Sequence, residues 1–382
     1  VLSYWLFAYK NSILQAHQRN DVVSKITIVT NTIQYGLQLL VLYIFRNYYY
    51  FVIVALMTQA LTNIVTAIIA DKLYPKFKPK GNVKKQQTKE INQRIRDLFT
   101  SKIGFVIYDS ADTIVISAFL GLTMLAVYQN YFYILSAITG FISVIFAACT
   151  AGIGNSIVTE TKKKNYDDLN KLTFIICWLA GFCSVCLLCL YQPFMELWVG
   201  KELMYSFSAV ICFVIYFFIR QLNSLFNLYK DASGMWHEDR FRPLVAALTN
   251  LALNLVLVQI IGIYGILLST VLAILCVGMP WLLHNLFTVI FEKKYLMQYL
   301  NKLLFYILTV LVSSVVTYLI CSLVCLENLT LKLMIRGVIC VLFPNIIYFI
   351  AFRKCKEYKQ VLSLIDNISS GKLHSLLLKM GM

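Results

Sequence analysis

Residues 162–200 read KKKNYDDLNKLTFIICWLAGFCSVCLLCLYQPFMELWVG. Lys162, Lys163, Lys164 and Lys171 precede an apolar run, 172–192, that holds no charged side chain. About 20 such residues, wound as a helix, cross the roughly 30 Å hydrocarbon core of a bilayer. The run is continuous rather than alternating, so it reads as a helix and not as a barrel strand. Beyond it, Pro193, Trp198 and Gly200 mark a short loop whose aromatic residues suit the membrane interface. A basic flank, an apolar run and a short loop predict one crossing with its basic end in the cytoplasm.

The same pattern recurs from end to end. The 382 residues are 59% hydrophobic and 14% charged, with mean hydropathy +0.72, whereas soluble domains are about a quarter charged. Spans are predicted at 1–17, 24–45, 49–70, 103–120, 124–150, 172–192, 204–228, 243–261, 264–287, 303–325 and 333–352. The loops after odd-numbered spans, with the C-terminal tail, carry 28 of the 34 lysines and arginines. Arg46, Lys201, Lys332 and Arg336 lie on the opposite face, and Lys10 and Arg220 fall inside spans. The net charge of +16 therefore records topology, which places the basic loops and the C-terminus in the cytoplasm and argues against a nucleic-acid partner. Span 1–17 then runs from outside to inside, without the features of a signal peptide. An odd number of helices is expected ahead of Val1, and a start codon directly before Val1 would overturn that expectation.

One substantial break interrupts the spans, at 71–102, with Pro75, Pro79 and Gly81 followed by a polar stretch. Within it Ile91, Ile95, Leu98 and Phe99 recur at helical spacing, with Lys89, Arg94 and Arg96 opposite. Two readings fit: an amphipathic helix on an anionic leaflet, or a solvated basic linker. The 11 cysteines read mainly as packing residues. Cys183, Cys186 and Cys189 on one apolar helix provide no folded-back loop to close a metal site. Cys321 and Cys325, four apart near the outer face, are not read as a pair. No phosphate-binding loop is present. His17, His237 and His284 are isolated, His374 is in the tail, and no catalytic cluster lies at an outward loop, so neither an enzyme nor a metal protein is expected.

Ionisable groups at membrane depth are costly and mark function by default. Lys10, Asp109, Asp112 and Arg220 are such groups. Asp109, Asp112 and Ser117 share roughly one helix face; Arg220, Asn223 and Asn227 share another. Thr27, Asn31, Gln34 and Gln38 form a polar stripe along span 24–45, and Asn250 and Asn254 are four apart further on. Hydrogen bonding between packed helices is the plainer account of these amides and hydroxyls. The length of the stripe favours a hydrated cavity between two bundles. Arg220, near mid-span, suits a cavity; for Lys10, snorkelling fits equally well.

Several motifs together resemble the Wzx-type polysaccharide flippases. They are SYWLFAYKNSILQAHQRN at 3–20, DTIVISAFLG at 112–121 with VYQNY at 127–131, FMELWVG at 194–200, and DASG at 231–234 with DRFRP at 239–243, followed by LVAALTNLALN and IGIYGI. The resemblance covers most of residues 1–287. It implies an all-α polytopic membrane protein of the multidrug/oligosaccharidyl-lipid/polysaccharide exporter fold, the MATE/MOP-like arrangement of two six-helix lobes plus two extra C-terminal helices. About 11 of a total of 14 transmembrane helices would be present. On that reading 1–71 is a partial N-lobe (helices 4–6) and 72–101 the basic inter-lobe linker. Residues 102–287 form the C-lobe (helices 7–12), 288–352 a loop with helices 13–14, and 353–382 the tail. The resemblance implies a flippase of the bacterial cytoplasmic membrane. It would move undecaprenyl-diphosphate-linked oligosaccharide to the outer leaflet by alternating access, for surface polysaccharide such as O-antigen or capsule. Lys10 and Arg220 would meet the diphosphate. Asn223, Thr27, Asn31, Gln34 and Gln38 would meet sugar hydroxyls. Asp109 and Asp112 would couple transport to a proton or sodium gradient or to membrane potential, or pair with cavity cations. Expected partners are the lipid-linked oligosaccharide, membrane lipids and polymerase or glycosyltransferase machinery, with no cofactor. The alternatives are a multidrug antiporter of the same superfamily and a membrane glycan polymerase or glycosyltransferase.

Overall fold

The computed structural model describes residues 7–17, 19–76 and 84–368. The start of the first predicted span, Pro79 and Gly81 in the break, and Lys372, His374 and Lys379 in the tail lie outside these residues. A 3-10 turn, Ala8–Lys10, leads into the short α1 (Asn11–Ala16), followed by α2 (Asn20–Phe45) and α3 (Tyr48–Leu73). Next, α4 (Lys85–Val115) continues through a π turn, Ile116–Leu120, to α5 (Gly121–Thr159). Then come α6 (Lys162–Val199), α7 (Phe207–Ser233), α8 (Arg242–Ile261) and α9 (Ile263–Ala273). A second π turn, Ile274–Gly278, joins α9 to α10 (Met279–Val289), and α11 (Leu296–Ser322), α12 (Leu329–Phe352) and α13 (Lys356–Ile368) complete the described chain. No strand occurs among the described residues.

Nine helical runs among the described residues are long and apolar enough to cross a membrane. The longest, Lys85–Thr159, holds two of the predicted spans, because Gly121 reverses the chain within it. Its φ of +86° is open to glycine and strained for other residues. The reversal shows in the contacts: Tyr205 bonds the Met124 carbonyl at one end of α5, while Gly154 lies against Ala232 at the other. The protein is therefore a multi-pass, all-helical membrane protein. Of the first predicted span, the described part is the 3-10 turn and α1.

The described chain forms two compact units that divide between Gln87 and Thr88. In the first, α2 and α3 pack through Thr62, which donates to Thr30, and Gln38, which donates to the Phe51 carbonyl. Asn47 caps α3 by accepting from the Tyr49 amide, just as Thr161 caps α6 and Asn328 caps α12. The second unit has a large apolar core, with Phe174, Phe213, Leu225 and Leu282 buried, but one of its helices is built inside out relative to a soluble bundle. On α11, Leu304, Leu308, Leu311, Val315 and Leu319 face outward, while Thr309, Ser313, Thr317 and Cys321 are buried at steps of four. Lipid tails are as apolar as leucine, so on this helix small and polar residues make the contacts with its neighbours.

The break at 71–102 differs from both of its sequence readings in one respect. Its helical part is the beginning of α4, which starts at Lys85 and runs on into the membrane span. Ile91, Ile95, Leu98 and Phe99 are exposed, and the side facing the bundle is polar: Asp97 is buried and bonded to His237 and Arg240. The His237 hydrogen bond, with the Arg240 charge, holds the Asp97 carboxyl below the usual carboxylate range.

Gly104 seats α4 on α8. A Cβ there would lie 2.6 Å from the backbone of Pro243 and Leu244, which cannot swing aside as a side chain would. Gly104→Ala is expected to cost about 1–3 kcal/mol by overpacking, lowering the melting temperature of the purified protein. Gly140→Ala, with nothing within 4 Å of its added methyl, should leave it unchanged.

Candidate functional site

The predicted site residues fall into three groups. In the first unit, Lys10 forms an ion pair with Asp71, near the end of α3, so it is not a free cavity cation. The stripe of Thr27, Asn31, Gln34 and Gln38 lies on the more buried side of α2, with Ile26 and Thr30. Gln38 bonds across to α3, while Thr27 donates to its own Val23 carbonyl. Thr30, which the sequence reading passed over, makes the cross-helix hydroxyl contact with Thr62.

The second group surrounds a cavity of about 410 Å³ walled by α4, α5, α7 and α8. Arg220 lines it from α7, together with Asn223 and Asn227, which helical spacing puts on the same face. The guanidinium donates to Asp109 Oδ1 at 2.8 Å and to the Tyr216 hydroxyl, and it lies 5.6 Å from that ring's centre. Asp109 is largely exposed, so this ion pair is not closed in by the surrounding helices. Asn223 Oδ1 is buried and has no hydrogen-bond partner among the described residues.

A second guanidinium lines the same cavity. Arg242 is buried and bonds Asp239 through Nε and Nη2, both at 2.7 Å, while Nη2 also donates to Asn227 Oδ1 at 2.8 Å. Lys230, 2% exposed, completes the cluster, with Asp231 at 2.9 Å, Asp239 at 4.0 Å and the Trp236 ring beneath it. Sequence reasoning counted Lys230 and Arg242 as loop charges. The signal available was the pairing of DASG and DRFRP, two acid-bearing turns that bracket one short connection.

The third group is a buried polar network around Asp112. Its carboxylate accepts from Asn254 Nδ2 at 2.8 Å and from the Thr270 hydroxyl at 3.2 Å. Asn250 donates to that hydroxyl at 2.9 Å, and Ser269 donates to Asn254 Oδ1. All five residues are less than 9% exposed, and the network ties α4 to α8 and α9. Asp112 makes no ion pair among the described residues. Asp109 and Asp112 therefore have different surroundings: one balances a cation at a cavity, the other sits among neutral donors. Ser269 and Thr270 lie in an apolar run and carried no signal in the sequence.

Removing one partner of a buried ion pair strands the other. Asp239→Ala leaves Arg242 without its carboxylate and should cost about 3–5 kcal/mol, read as a lower unfolding midpoint. Asp231→Ala, which removes a half-exposed partner, should cost less than about 1 kcal/mol.

Comparison with known proteins agrees with this architecture. Residues 2–150 match the family described as polysaccharide biosynthesis protein. No curated protein matches the chain in sequence. Among solved structures, the lipid II flippase MurJ in an inward closed conformation superposes with a TM-score of 0.63 at 16% identity, covering 92% of this chain and 72% of MurJ. At that identity the likeness speaks to the fold alone. Residues 2–150 thus resemble the polysaccharide biosynthesis proteins, and the helices take the fold seen in a lipid II flippase.

Proposed function

We propose that the protein is a flippase that moves an undecaprenyl-diphosphate-linked oligosaccharide from the inner to the outer leaflet of a bacterial cytoplasmic membrane. The observation that carries this reading is that two guanidiniums, Arg220 and Arg242, line one cavity within membrane helices, beside the unpartnered amide oxygen of Asn223. Guanidinium forks match phosphate oxygens in geometry and charge. Asn223 and Asn227 supply neutral hydrogen-bonding groups of the kind that sugar hydroxyls need. The match of residues 2–150 to the polysaccharide biosynthesis family points the same way. The pairing of Arg220 with an exposed carboxylate suggests how loading occurs: an incoming phosphate replaces Asp109 on the guanidinium, so charge is never left bare.

In this proposal the basic loops and the C-terminal end face the cytoplasm, and one lobe rocks against the other to alternate access. The oligosaccharide is handed to polymerase or glycosyltransferase machinery at the outer face. Asp112 serves as the coupling site, where a proton or sodium ion is taken up. This buried carboxylate is held by neutral donors, the Asn254 amide and the Thr270 hydroxyl, and makes no ion pair among the described residues, so its charge is open to neutralisation.

Expression of the complete gene in a strain lacking its own flippase should restore surface glycan. Arg220→Ala should abolish rescue with normal insertion, losing about 1.5–3 kcal/mol of phosphate binding, or roughly ten- to a hundredfold. Failure to rescue across several glycan types would favour drug export instead. Asp112→Asn should lower transport and flatten its dependence on pH and membrane potential. Full transport with unchanged dependence would remove coupling from the proposal.

A further inference from the structure

The cysteines do not distribute as packing residues would. Cys189 of α6, Cys321 of α11 and Cys340 of α12 bring their sulfurs within 4.8 Å of one another, and all three are buried. Cys186, one turn before Cys189 on the same helix, packs against this group. Three free thiols from three helices thus meet at one point, in an apolar surround of Val185, Leu190, Tyr318 and Ile339. The sequence pattern on α6 has no folded-back loop to close a metal site, but α11 and α12 supply the missing vertices.

We infer that this cluster is a structural zinc site. Thiolates at about 2.3 Å from a tetrahedral zinc stand about 3.8 Å apart, a small contraction from the spacing here. Charge selects the ion. One Zn²⁺ with the thiolates of Cys189, Cys321 and Cys340 carries a net charge of −1, and the Arg336 guanidinium, one turn from Cys340, cancels it. Arg336 is already aimed at the cluster: Nη1 lies 3.4 Å from the Cys189 carbonyl, and its buried Nε has no hydrogen-bond partner among the described residues. A monovalent soft ion with the same three thiolates would leave a negative charge uncancelled in an apolar interior, where it is costly. The fourth position of the tetrahedron is left to a neutral ligand such as water. Each of the three thiols gives up its proton as the zinc–sulfur bond forms, so binding releases three protons and strengthens with pH. The bound ion clamps α11 and α12 to α6.

The test uses the full chain, purified in detergent under a thiol-free reductant. One zinc per chain is expected, with a raised melting temperature. Cobalt substitution should give the thiolate charge-transfer absorption and the intense visible bands of a tetrahedral site. Cys340→Ser and Cys189→Ser should each weaken zinc binding by more than the roughly 10–100-fold that supporting residues cost. Cys325→Ser, at an exposed thiol outside the cluster, should bind as the unaltered protein does. The inference is overturned by any of four results from the unaltered chain or its variants. These are no stoichiometric zinc, binding of copper(I) but not zinc, equal zinc binding in Cys340→Ser, or a mass short by two hydrogens that reductant restores, which would mean a disulfide.

Discussion

In hydrocarbon a polar group can bond only to other protein, and every helix contact in this chain answers to that constraint. The seams are where the polar residues are. Thr30 and Gln38 join α2 to α3, Asp112 and Asn254 join α4 to α8, and Thr309, Ser313 and Thr317 line the buried side of α11. On α11 the leucines lie outside, although elsewhere leucines and isoleucines such as Leu225, Ile266 and Leu282 remain buried in the core. One rule therefore places both the packing and the chemistry, since a helix that must bury its hydrogen-bonding groups brings them together.

The two kinds of polar cluster differ in how far they are satisfied. Around Asp239 the charges are closed in: Arg242 is bonded on two nitrogens by one carboxylate, and Lys230 sits over an indole ring. Around Arg220 they are open, because Asp109 is exposed and Asn223 keeps an unused oxygen. Closed pairs hold geometry, and open ones can be exchanged for a ligand. Having both on one cavity wall gives a rigid guanidinium beside a labile one.

Much of this was legible in the sequence. Ten predicted spans coincide with helices, because an apolar run of sufficient length has few alternatives in a bilayer. Arg220, Asp109 and Asp112 stood out because a charge at membrane depth is conspicuous in any apolar run. Less visible were groups whose meaning depends on which helices meet. Arg242 reads as an ordinary loop arginine until α7 and α8 enclose it. Thr270 reads as one more small residue until it reaches Asp112 across helices more than a hundred residues apart in sequence. Within the stripe on α2, spacing alone did not name the Phe51 carbonyl of α3 as the partner of Gln38. Helical spacing tells which residues share a face, but not what that face meets.

Gly121 has a consequence for how the chain is made. The turn it forms leaves no slack between α4 and α5, while Asp112 on α4 finds its partners only on α8 and α9, which the ribosome has yet to synthesise. Alone in lipid, an acid near the middle of a helix costs about 2.5–3.5 kcal/mol to insert. The strongly apolar α5, arriving directly behind, offsets that cost, so the two helices enter the bilayer together as one hairpin. The acid then waits there until the later helices close around it.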